Sequence, residues 1–82
     1  MSPEEKFFRG AVGKRVDVVL VAGAGDSGEY VLIWVDKFTV GLQEIDGPVN
    51  ERVGGVFLVF KHGIISMGVL GDAPPSTTPT DP

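Results

Sequence analysis

Val56-Phe57-Leu58-Val59-Phe60-Lys61-His62-Gly63-Ile64-Ile65-Ser66-Met67-Gly68-Val69-Leu70 is the most informative run in the chain. Its β-branched and aromatic content predicts two successive strands, 56–61 and 64–70. Little more than His62-Gly63 separates them, which leaves no room for a helix. Upstream, Asp46-Gly47-Pro48 and Gly54-Gly55 mark residues 45–55 as a long polar loop. Phe38 to Glu44 reads as a third strand and Tyr30 to Val35 as a second, with Asp36-Lys37 a brief interruption between them. Gly23-Ala24-Gly25-Asp26-Ser27-Gly28 is a turn that makes a hairpin with a first strand, Val16 to Val21, whose Val16, Val18 and Leu20 share one face.

The front of the chain carries a different signal. Ser2 can cap, Pro3 fits a first helical position, and Glu4 and Glu5 complement the helix dipole, so residues 3–12 predict one short helix. Gly10 and Gly13 stop it, and Phe7, Phe8 and Ala11 form an apolar stripe to lie on a sheet. From Gly71 onward, ending in Ala73-Pro74-Pro75-Ser76-Thr77-Thr78-Pro79-Thr80-Asp81-Pro82, the composition predicts a disordered tail, 71–82, after a folded domain, 1–70.

A chain of 82 residues supports one domain with a marginal core. With no Cys and one His, neither disulfides nor a metal is expected to reinforce it, and association is the remaining route. The lack of Cys fits a cytoplasmic setting, the acidic start does not look like a secretion signal, and no apolar run is long enough to span a membrane. The net charge of −4 argues against a broad basic coat for nucleic acid. Lys6, Arg9, Lys14 and Arg15 cluster at the front, while Lys37 and Lys61 sit singly inside apolar segments, so any anion site should be local.

Enzyme chemistry finds little support. His62 is the sole imidazole, and the paired carboxylates, Glu4-Glu5 and Glu44 with Asp46, lie in segments expected to be solvated. The glycine run matches G-x-G-x-x-G after an apolar strand, yet Tyr30 onward is strand-forming where a dinucleotide site needs a helix. No catalytic residue, metal, cofactor or small-molecule substrate is expected.

Phe60-Lys61-His62-Gly63-Ile64 resembles the aromatic-lysine-histidine element of the Hfq proteins, the bacterial form of the second Sm motif. Asp36-Lys37-Phe38 looks like that family's Asp-x-Phe step, and Phe7-Phe8 matches an apolar pair on its N-terminal helix. The similarity covers most of residues 4–70. It implies a mostly β, Sm-like fold: a short N-terminal helix on a strongly bent five-stranded antiparallel sheet, an open small barrel. It also implies subunits joined edge to edge by their fourth and fifth strands into a homo-oligomeric ring, usually a hexamer, which would satisfy otherwise unpaired edges.

By the same resemblance, the ring would bind short single-stranded, U-rich RNA near its pore, as an RNA chaperone or riboregulator. Phe38 would stack on a base, Lys61 and His62 would meet base edge and phosphate, and Lys37 would add charge where the family has a polar amide. Glu4 stands near the place of a glutamine that helps bind uracil, and Val12 and Gly13 replace rim arginines. Val21, Ser27 and Glu29 replace the residues of the family's A-rich site, and the loop between the third and fourth strands is longer than in Hfq. These departures leave a second reading, a ring-shaped protein-interaction scaffold without RNA affinity. Taken without the resemblance, the same residues also fit a structural reading, with Phe38 in the core, Lys61 solvated and His62 bonded to backbone at a turn.

Overall fold

The computed structural model describes residues 2–74. Over these residues the fold is mostly β, with one short helix and five antiparallel strands in a single open sheet. Helix α1 spans Pro3–Gly10 and is started by a capping box, in which the Ser2 hydroxyl accepts from the Glu5 N–H and the Glu5 carboxylate accepts from the Ser2 N–H. It ends two residues earlier than the sequence predicts, at the Ala11 cap, and buries Phe8.

The strands are β1 (Lys14–Leu20), β2 (Gly28–Val35), β3 (Thr39–Asp46), β4 (Glu51–Phe60) and β5 (Ile64–Asp72), ordered β4-β3-β2-β1-β5. β4 and β5 are therefore opposite edges of the sheet, although only the 3-10 turn Lys61–Gly63 joins them. In a flat sheet four spacings would hold those edges about 19 Å apart, whereas the four residue steps from Phe60 to Ile64 span at most about 14 Å. The sheet must curl until its edges meet at this turn. Register shifts supply the bending: one in β1 against β5 at each end, one between Leu32 and Trp34, and one between Gln43 and Glu44.

That last shift corrects the expected long loop at 45–55. Ile45 and Asp46 belong to β3, Glu51 begins β4, and only residues 47–50 form the turn. Gln43 pairs with Val56 but Glu44 pairs with Val53, so Gly54 and Gly55 bulge out of a strand that otherwise continues. Gly54 takes a φ of +72°, and its carbonyl accepts from the Gln43 side-chain amide at 2.9 Å. Glycine that looked like loop composition is the material of a bulge.

The concave side holds the core: Val16, Val18 and Leu20 of β1, Tyr30 and Leu32 of β2, Val40 and Leu42 of β3, Val59 of β4, and Phe8 and Ala11 from α1 and its cap. The shared face expected for Val16, Val18 and Leu20 is observed. The edge strands give much less. β4 contributes one fully buried member, and β5 only the partly buried Ile64 and Met67. β5 also runs through Gly71 to Asp72, and Pro74 is buried with its carbonyl accepting from Arg52 Nε at 3.0 Å. The first residues of the expected tail are thus part of the fold, and 75–82 lie outside the described residues.

Candidate functional site

The turn between β2 and β3 builds the site. Val35 pairs with Val40, the Asp36 N–H donates to the Thr39 carbonyl at 2.8 Å, and Asp36 Oδ1 accepts from the Lys37 N–H at 2.7 Å. A turn closed this way from both ends pushes Lys37 and Phe38 outward. Phe38 is 65% exposed, which removes the reading that places it in the core. Lys37 Nζ lies 5.3 Å from the centre of its ring.

Lys61 reaches the same place from the end of β4. Its N–H donates to the Phe38 carbonyl at 2.7 Å, and its ammonium sits 4.8 Å above the ring of Phe8 on α1. The helix adds two further side chains. Glu5 and Arg9, one turn apart, line a cavity of about 480 Å³ together with Val35, Asp36, Lys37, Phe38 and Lys61. That volume lies within the usual range for small-ligand pockets, roughly 300–1,000 Å³.

Three cations and two carboxylates line the cavity, a local excess of positive charge in a chain whose net charge is −4. Both ion pairs among the described residues, Lys14 with Asp72 and Arg15 with Glu29, lie elsewhere, so Arg9, Lys37 and Lys61 converge without carboxylate partners. Glu5 is held from behind, its Oε1 accepting from Ser2 Oγ at 3.3 Å and from the Ser2 N–H at 3.4 Å. The arrangement offers an exposed aromatic face, cationic donors for an anion, and an acceptor-only carboxylate beside them.

Of the four residues singled out from the sequence, Lys37, Phe38 and Lys61 come together, and His62 does not. The imidazole stacks on Phe60, with ring centres 5.6 Å apart and planes at 22°. It borders a second hollow of about 440 Å³, formed with Val21 to Ala24, Leu58, Val59, Phe60 and Gly63. Adjacent residues of a 3-10 turn point in different directions because each step turns the chain by about a third of a circle. Glu5 and Arg9 were not singled out as site residues, although their spacing places both on one helix face.

The glycine run precedes no helix. Gly28 begins β2, Ser27 Oγ accepts from the Leu20 N–H at 2.9 Å, and the Tyr30 hydroxyl donates to the Asp26 carbonyl. These bonds make the segment a pinned hairpin loop, without the helix terminus that a dinucleotide phosphate needs. Comparison with family models, curated proteins and solved structures finds no match for this chain.

Proposed function

We propose that this protein is an Sm-like, non-catalytic module that assembles through β4 and β5 into a ring and binds short single-stranded RNA at the cavity around Phe38. The observation that carries the reading is the convergence, in one cavity of an acidic chain, of an exposed aromatic ring and three cations without ion-pair partners among the described residues. A flat aromatic face stacks with a base, and the cations meet the phosphates on either side. The resemblance around Phe38 and Phe60-Lys61-His62 supplies the family and the expectation of U-rich RNA. Repeating the cavity once per subunit would let neighbouring nucleotides of one strand occupy neighbouring sites. His62 belongs to the other hollow, so the binding set proposed for RNA is Lys37, Phe38 and Lys61 with Arg9.

The scaffold reading is favoured by a different observation, the apolar side chains displayed along both sheet edges, which would serve assembly with or without RNA. One titration separates the two. A pool of short random single-stranded RNA should bind with an affinity that falls steeply with salt. Lys61→Ala should weaken binding and reduce the salt slope by about 0.7 for each phosphate that the lysine neutralises. Absence of binding at low salt by an intact oligomer would leave the scaffold reading.

A further inference from the structure

Resting on that reading of the cavity, we propose that Glu5 makes the site selective for guanine. Bases differ in what their pairing edges offer to a protein. The Watson–Crick edge of guanine presents two adjacent donors, N1–H and the N2 amino group. Uracil presents one N–H between two carbonyl oxygens, and cytosine and adenine each present one amino group beside ring acceptors. An ionised carboxylate has no donor and about four lone-pair positions. Against uracil it meets one donor and two repelling oxygens, and against guanine two parallel donors.

The chain places such a carboxylate in the lining of the cavity that also holds the exposed ring of Phe38. Glu5 lines the cavity with Phe38, and the capping box restrains it through Oε1, while Oε2 carries no hydrogen bond among the described residues. Arg9, Lys37 and Lys61 line the same cavity. Asp36 is committed differently, since its Oδ1 closes the turn by accepting from the Lys37 N–H.

The test uses the full chain in its assembled form and a short oligouridine, against the same oligomer with one central guanosine, inosine or adenosine. The guanosine oligomer should bind about 10-fold more tightly than oligouridine, the discrimination that a two-bond base contact gives. Inosine, which lacks the N2 amino group, should fall between them, and adenosine should gain nothing comparable. Glu5→Gln keeps the capping box, because Gln serves at that position as well as Glu. Its amide complements uracil and guanine alike, so it should erase the preference while retaining RNA binding, a result that loss of helix structure alone would not give. Tighter binding of oligouridine than of the guanosine oligomer, or a guanine preference that survives Glu5→Gln, overturns the assignment and leaves RNA binding in place. No binding of any oligomer overturns both.

Discussion

Tyr30 shows how one side chain can tie a loop to the core. Its ring is buried among the core residues and meets Phe57 edge to face at 5.5 Å, while its hydroxyl reaches out to the Asp26 carbonyl. Tyr30→Phe removes only the hydroxyl, so it should cost about 1 kcal/mol in urea unfolding and loosen the loop before β2. Desolvation by burial, then the negative charges of Glu44 and Asp26, raise the phenol above its ordinary value of 10.0. The unfolded chain therefore ionises first as pH rises, and stability should fall from about pH 10 until the folded-state phenol also ionises. As this is the single Tyr in the chain, tyrosinate absorbance in native protein reports it alone, and the alkaline slope assigned to it should vanish in Tyr30→Phe. Lys37, Phe38 and Lys61 were singled out by the resemblance around Asp36-Lys37-Phe38 and Phe60-Lys61-His62, and their meeting at one cavity is a matter of the turns that carry them. Glu5 was not singled out, because its place in the cavity depends on where α1 lies against the β2–β3 turn, which is a tertiary fact. His62 came with Lys61 in the resemblance around Phe60-Lys61-His62, and it lines a separate hollow because side-chain direction within a 3-10 turn is not encoded by adjacency.

Strand identity followed from composition, and strand ends did not. β1, β2 and β5 are rich in Val, Ile and other apolar residues, which packing on a sheet face converts directly into strands. β4 is different, because Arg52-Val53-Gly54-Gly55 has turn chemistry that the sheet overrides by bulging. The cost of that bulge should be visible in two neighbouring glycines. An added Cβ meets no atom within 4 Å at either Gly54 or Gly55, yet only Gly54 has a left-handed backbone. Gly54→Ala should therefore destabilise by about 1–2 kcal/mol. Gly55→Ala should stay within about 0.5 kcal/mol of the wild type. Equal costs in thermal unfolding would mean that crowding or weakened pairing, and not backbone conformation, governs this part of β4. The helix obeys more local rules, and its capping box was foreseeable from Ser2 and Glu5 alone.

The molecule is lopsided in a way that bears on how it would assemble. Its sheet ends in two edges that bury little of their own apolar surface, with Leu58 51% and Phe60 54% exposed on β4, and Ile65 64% and Leu70 52% exposed on β5. Such edges attract further strands. If β4 of one copy pairs with β5 of the next, as the proposed ring requires, a dimer leaves one β4 and one β5 unsatisfied, and growth continues until the chain of copies closes. Two crippled edges distinguish this from a symmetric junction. Leu58→Glu places a charge on β4 and leaves β5 intact, whereas Ile65→Glu does the reverse, and both positions are exposed, so neither change disturbs the core. Each variant alone should be monomeric by light scattering, while the wild type forms one closed species. Mixed in equal amounts, they should form a one-to-one dimer that grows no further, because only one sound β4 and one sound β5 remain to meet. A symmetric β4 junction would instead let Ile65→Glu dimerise alone, and a symmetric β5 junction would let Leu58→Glu do so; either result excludes the ring.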